Sequence, residues 1–308
     1  MPRELTRREL LAGTGAVGAV LWATEGTGRT ADAASPWPLA LNASTIRPAP
    51  LEDKIRIAAE AGYDGIELWT NELERYAGEG KSLDDLRKRI ADRGLSVPNT
   101  IGLGGAMPGE EEKRPAALEA VRRRLDVAAK VGAECIAAPP SPDREDMDVL
   151  WVAERYKELL AIGREFGVRV ALEFLAFFKG FNRLGKTAAA AIETDERDAC
   201  LVPDVFHMFL GGSGFNGIRY LHGDFIAVLH INDAPAEPRR AEQRDQHRVY
   251  PGDGILPLVQ LLRDLKHIGF RGALSLELFN RDYWQQEPMT VARTGIEKMR
   301  EVIAKSDA

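Results

Sequence analysis

The chain is short of positive charge. It has 41 Lys and Arg against 47 Asp and Glu, a net charge of −6. A nucleic-acid partner needs a basic face for its phosphates, and this composition offers none. Histidine is also scarce: there are five in all, and none before His207. That leaves no material for a multinuclear, histidine-rich metal cluster of the kind a metal-dependent endonuclease on a barrel fold would need. Cysteine occurs twice, as Cys135 and Cys200. Both fall in strand-like segments, the fourth and the sixth. Strands two apart are about 9–10 Å from each other, and a disulfide tolerates roughly 7 Å between Cα atoms. The expectation is two free, buried thiols that pack as small hydrophobes. Finally, no apolar run is long enough to span a bilayer. The stretch from Leu10 to Ala23 is too short and too rich in Gly.

That stretch has a different meaning. It follows Thr6-Arg7-Arg8-Glu9-Leu10-Leu11, a twin-arginine signature, and precedes Ala31-Asp32-Ala33, an A-x-A cleavage site. The three parts in this order predict a Tat export signal over residues 1–33, a mature chain from about Ala34, and a periplasmic or extracellular destination. The remaining residues, 34–308, read as one domain without a linker or composition break.

From Trp37 onward, strand-like and helix-like segments alternate. Strands are predicted at Pro38–Asn42, Tyr63–Trp69, Leu95–Thr100, Ala133–Ala138, Val168–Glu173, Ala199–Asp204, Phe225–Ile231 and Ala273–Phe279. Helices are predicted at Leu51–Ala61, Leu83–Arg93 with Ser82 as cap, Arg114–Val131, Met147–Phe166, Thr187–Glu196, Ile255–Ile268 and Met289–Lys305, with a shorter helical piece between Phe215 and Leu221. Several helices end on a Gly that leads into the next strand, as a left-handed cap would require. Eight such units in about 270 residues predict a (β/α)₈ TIM barrel. The irregular stretch from Asn232 to Gly254 is long for a compact domain, which marks it as functional. The run Gly102 to Gly109 reads as a mobile lid. It contains no Lys or Arg and does not match a P-loop.

The eighth strand shows the design. Leu274, Leu276 and Leu278 alternate with Ala273, Ser275 and Glu277. Side chains alternate across a strand, so one face is large and apolar and the other is small until its final carboxylate. Leu41, Leu68, Leu172 and Leu276 should face the helices, and Ala40, Gly65, Ala171 and Ser275 the barrel interior. Asn42, Glu67, Glu173, Asp204, His230 and Glu277 then sit at strand ends and converge on the C-terminal mouth, where such barrels keep their chemistry. Glu173, Asp204, His230 and Glu277 form a set of three carboxylates and an imidazole. That set suits Mn²⁺ first, and also Mg²⁺, Co²⁺ or Zn²⁺, with positions left for substrate. His207 lies too far along its loop to be a ligand and is assigned to the substrate or to the surroundings of the metal.

At these residues the chain resembles a known family. Ala-Leu-Glu173-Phe, Asp204-x-x-His207, His230-Ile-Asn-Asp233, Arg248-Val-Tyr-Pro-Gly252-Asp-Gly254 and Ser-Leu-Glu277-Leu-Phe carry the resemblance. Asn42, Gly-Tyr-Asp-Gly-Ile-Glu67 and Ser82-Leu-Asp-Asp-Leu also match. They are similar to the xylose-isomerase-like TIM barrels grouped as sugar phosphate isomerases and epimerases, and within these to the inosose (2-keto-myo-inositol) isomerases. The resemblance covers Trp37 to the end. It implies a divalent metal held by Glu173, Asp204, His230 and Glu277, with His207 and Arg248 near the substrate; Asn42 and Glu67, from their strand-end positions, are expected to bind the substrate too. The chain departs from the family in its export signature and in the loops Ala176–Gly180 and Asn280–Asp282.

The expected activity is isomerisation or epimerisation of a keto-polyol or sugar through a metal-bound enediolate, with Glu173 and Glu277 moving the proton. The alternative is a lyase on the same site, a dehydratase or 3-keto-glycoside eliminase. A non-catalytic sugar-binding barrel is disfavoured by the two glutamates. The expected partner is a small sugar or keto-polyol, with no nucleic acid and no membrane span after signal cleavage; a homo-oligomer is compatible with the sequence. The export expectation has a direct check. Replacing Arg7 and Arg8 by Lys should keep the precursor in the cytoplasm, and normal export of that variant would contradict the signal.

Overall fold

The computed structural model describes residues 35–307. The expected export signal over residues 1–33 lies outside them. The strands are β1 (Leu39–Asn42), β2 (Gly65–Trp69), β3 (Thr100–Ile101), β4 (Cys135–Ala138), β5 (Arg169–Leu172), β6 (Cys200–Leu201), β7 (Val228–Ile231) and β8 (Ala273–Leu276). All pair in parallel, in the order β6-β5-β4-β3-β2-β1-β8-β7. Bridges from Leu201 to Ile226 and from Asp204 to His230 bring β6 against β7 and complete the ring. The result is the expected (β/α)₈ barrel.

Inside and outside follow from side-chain size. Leu41, Leu68, Leu172 and Leu276 are fully buried in the large core shared with the helices. Ala40, Gly65 and Ser275 lie side by side in register across β1, β2 and β8. Cys135, Ala137, Ala171, Cys200 and Val202 form a separate small cluster in the barrel interior. Small residues are needed there because side chains from alternate strands meet at one level. Cys135 and Cys200 are free and buried, as expected. They share that cluster, and the neighbouring Cys200 together with burial holds the Cys135 thiol well above its ordinary pKa.

The helices are α1 (Leu51–Ala61), α2 (Thr70–Gly78), α3 (Leu83–Asp92), α4 (Arg114–Lys130), α5 (Val149–Phe166), α6 (Leu184–Ile192), α7 (Val205–Gly211), α8 (Leu258–His267) and α9 (Pro288–Asp307). Ser82 caps α3 by accepting from the Asp85 N–H at 3.1 Å. Gly62, Gly94, Gly132, Gly167 and Gly269 all take positive φ at the turns into the next strand. No helix among the described residues is long and apolar enough to cross a membrane.

The differences from expectation have local causes. The third strand was expected over Leu95–Thr100, but only Thr100–Ile101 forms regular ladder, with single bridges at Ser96 and Val97. Pro98 lies between these bridges and Thr100 and has no N–H to donate. Pro203 shortens the sixth strand in the same way and leaves Asp204 as a lone bridge. α6 starts three residues early because Ser213 Oγ accepts from the Leu184 N–H at 2.9 Å. Two helices were not anticipated. α2 starts directly from the end of β2, with no loop to announce it, and buries Leu73 and Tyr76 one turn apart. α7 is short, and its cap is Asp204, a residue expected to serve the site instead.

Candidate metal centre

His230 is the hub. It lies in β7 with Glu173, Asp204 and Glu277 just beyond the ends of β5, β6 and β8. Its Nδ1 is 3.1 Å from Glu173 Oε1, 3.3 Å from Glu277 Oε2 and 3.7 Å from Asp204 Oδ2. Yet Nδ1 is buried without a well-aligned hydrogen bond. A buried nitrogen aimed between three carboxylates is the arrangement a divalent cation would complete, and oxygen donors with one imidazole suit Mn²⁺, Mg²⁺, Co²⁺ or Zn²⁺. Glu173, His230 and Glu277 bring their ligand atoms within 4.8 Å of one another. Asp204 is held slightly back. Its Oδ2 accepts from Arg248 at 2.7 Å and from Asn232 at 3.1 Å, and its Oδ1 caps α7 at His207 N, 2.7 Å.

Asn42 and Glu67 were expected to face the substrate. The structure sets both fully buried behind the ring. Glu67 Oε1 lies 3.0 Å from His230 Nε2 and accepts from Asn99 at 2.6 Å. Its Oε2 accepts from Asn42 at 3.0 Å and from the Ser275 hydroxyl. Asn42 also donates to Glu277 Oε1 at 3.2 Å. A carboxylate on the far nitrogen of a metal-facing imidazole fixes its tautomer and its ring plane. The sequence shows which strand ends carry polar groups, but not which of them meet solvent and which meet each other.

Arg248 closes the other side. Only 1 % of it is exposed, although it comes from a long loop. One guanidinium nitrogen donates to Asp204 and Glu277, both at 2.7 Å; the other donates to Asp245 at 2.9 Å and faces His207 Nε2 at 3.2 Å. The Phe206 and Phe279 rings lie 5.3 and 5.1 Å from it. Asp233 ties the loop down so that Arg248 can reach in. It accepts four backbone N–H groups, from Ala234, Gly252, Gly254 and Leu256, at 2.8 to 3.1 Å. A Cβ on Gly254 would fall 2.3 Å from the Asp233 carboxylate, so only Gly fits there. Asn99, Ser275, Asn232, Asp233 and Asp245 thus belong to the site. Asn232 and Asp233 carried a signal within His230-Ile-Asn-Asp233, and Ser275 showed only as a small residue. Asn99 and Asp245 carried none.

Above the ring lies a cavity of about 430 Å³. Glu173, Glu277, His207, Arg248 and Asp245 give it polar groups on one side and Asn71 and Arg124 on another, and Trp69, Ile101, Leu175, Phe177 and Phe279 are among its apolar walls. Burial pushes Glu173 up to about 7; the His230 charge opposes this, and Glu277 and Asp204 add to it. Burial would lower His230, but Glu277, Glu67 and Glu173 outweigh it and hold the imidazole well above its ordinary range. Burial would raise Asp204, but Arg248, His207 and His230 keep it below the usual carboxylate range. His207, with burial dominant, is lowered and stays neutral.

A cation seated against Nδ1 must displace the proton there and compete with the one shared by Glu173. Titration of Mn²⁺ or Zn²⁺ into metal-free protein near neutrality should therefore release about one to two protons per ion. Affinity should fall as pH drops. Calorimetry in buffers of different ionisation enthalpy reads the proton count. His230→Gln should bind more weakly and release fewer protons; tight binding by the native protein with no proton release would contradict the assignment.

Residues 55–302 match the xylose isomerase-like TIM barrel family. A 3-dehydroshikimate dehydratase from Pseudomonas aeruginosa is 26% identical over 232 residues, which is 75% of this chain but 36% of that protein. An inosose isomerase from Bacillus licheniformis is 27% identical over 281 residues, covering 85% of this chain and 96% of that one. The crystal structure of IOLI protein with a binding zinc atom has the same fold, with a TM-score of 0.80 at 24% identity over 87% of this chain and 98% of the other. The family match spans most of the barrel, from α1 into α9. The chain is a member of the xylose isomerase-like TIM barrel family.

Proposed function

We propose that the protein is a metal-dependent isomerase or epimerase that enolises a keto-polyol or sugar at a carbon next to its carbonyl. The observation that carries this is the pair Glu173 and Glu277, which come from different strands to the same nitrogen of His230 and both line the cavity. Burial brings Glu173 to about 7, so it can hold or give up a proton near neutrality. Glu173, Asp204, His230 and Glu277 are the proposed cation holders. Mn²⁺ is the ion we favour among the four that fit, and the bound zinc of the IOLI protein supports a site of this kind. When bound, the cation supplies Lewis-acid polarisation of the substrate carbonyl.

The chain's own groups supply the rest. One glutamate takes the α-proton from one face of the substrate, and the other returns a proton at the neighbouring carbon or the opposite face. Arg248, locked by Asp204, Glu277 and Asp245, presents a fixed positive charge to oxygens near the floor. Neutral His207 lines the cavity with its Nδ1 accepting from the Ala176 N–H at 3.3 Å and its Nε2 against Arg248, so it shapes the substrate site and steadies the arginine. Asn42 and Glu67 act indirectly, by aiming Glu277 and His230. The walls exclude water from the reacting end. A dehydratase is the second reading, supported by the similarity to 3-dehydroshikimate dehydratase. It needs the same proton removal; a β-hydroxyl then leaves as water, with the proton from the second glutamate.

Turnover of candidate keto-polyols in deuterium oxide, followed by NMR, tests the proposal. Solvent deuterium should appear at the substrate α-carbon. An isomerase product keeps the substrate's mass apart from deuterium, whereas a dehydratase product is lighter by water and absorbs in the ultraviolet. Glu173→Gln and Glu277→Gln should each slow turnover by about 10²–10⁴. If both turn over at the native rate, the proposal is wrong whichever product forms.

A further inference from the structure

The cavity wall carries a charge that no carboxylate among the described residues answers. Arg124 lies in α4 and lines the cavity. Its neighbours in that helix are neutralised: Arg114 by Glu158, Arg122 by Glu165 and Arg123 by Glu119. Among the described residues Arg124 has no carboxylate partner. Its one hydrogen bond goes from Nη1 to the carbonyl of Gly104, at 3.1 Å. The other cation of the cavity, Arg248, is spent on Asp204, Asp245 and Glu277.

The local structure holds this charge at the cavity. Gly102 packs directly on Thr70, the first residue of α2; a Cβ there would fall 1.9 Å from Thr70 Oγ1. Gly102 and Gly104 thus both line the cavity, and the Gly104 carbonyl anchors one nitrogen of the guanidinium. Four of its five donors stay free. Asn71 lines the same cavity, and its exposed side-chain amide has no partner among the described residues. Apolar walls, including Ile101 and Phe279, stand around them. A charge-assisted contact gains strength beside such walls. With a cation seated, the floor carboxylates are offset by it and by Arg248, and Asp245 in the wall is paired with Arg248, so among the described residues Arg124 is the cavity's positive charge left for the far, anionic end of a ligand.

We infer that Arg124 receives an anionic group, a carboxylate or a phosphate, on the end of the substrate away from the reacting ketone. The inference rests on the proposed enolisation, because that reaction sets the ketone on the floor. Arg124 is then a specificity residue and takes no part in moving protons. A neutral sugar or polyol leaves it unpaired.

The test uses the full chain loaded with Mn²⁺ and two pairs of ketones, each an anion and a neutral counterpart. The pairs are dihydroxyacetone phosphate with dihydroxyacetone, and 3-oxocyclohexanecarboxylate with its methyl ester. Calorimetry at low salt should show the anionic member of at least one pair binding about tenfold more tightly; the pair that does so identifies carboxylate or phosphate. Arg124→Gln should abolish that preference, and Arg124→Lys should keep part of it, which separates lost charge from damaged fold. A preference that survives in Arg124→Gln belongs to the cation or to Arg248 and overturns the inference, as does a native protein with no preference or no binding of either anion. Deuterium uptake into neutral dihydroxyacetone by the native protein is followed separately. Its absence would count against enolisation, whereas uptake without anion preference would count against Arg124 alone.

Discussion

His230 is gripped from two sides, and the mouth of the barrel is arranged around that grip. Glu67 holds Nε2 from behind at 3.0 Å, while Glu173, Asp204 and Glu277 close on Nδ1 from the front. All four carboxylates are buried, and among the described residues the only permanent cation paired with them is Arg248. Buried charge without compensation is costly. The excess negative charge therefore demands protons or a divalent cation at Nδ1. The raised affinity of His230 and Glu173 for protons and the proposed affinity for a metal express the same electrostatic deficit.

This constraint also explains the surroundings. Asn99, Asn42 and Ser275 are hydrogen-bonded to Glu67, so that it can hold the imidazole and nothing else. Asp233 gathers four backbone N–H groups to fold a long loop inward, and its result is a single buried arginine between two phenyl rings. These features lie at the ends of strands or in loops. The barrel beneath supplies only spacing and rigidity.

Much of this was legible in the chain. The alternation Leu274, Ser275, Leu276, Glu277 gave both the buried strand and the carboxylate at its end, because side-chain direction has a strict period of two. Gly62, Gly94, Gly132, Gly167 and Gly269 marked the turns into strands because only a left-handed residue fits there. Depth was not legible. Asn42 and Glu67 looked like Glu277, and only the packed ring shows that they face its residues and not the cavity. Arg248 stood out solely by its place before Tyr-Pro-Gly; its burial depends on Asp233, which is distant in sequence. Nor did the pattern separate Arg124 from Arg122 and Arg123, since which of three consecutive arginines meets the cavity depends on how α4 packs.

The most direct measurement is an anomalous-scattering map from crystals of the protein grown with Mn²⁺. The account predicts one peak in the barrel mouth, about 2.0–2.3 Å from His230 Nδ1 and from carboxylate oxygens of Glu173 and Glu277, with Asp204 turned from Arg248 toward the ion. A map with no peak there, or with a peak that His230 does not touch, would contradict it.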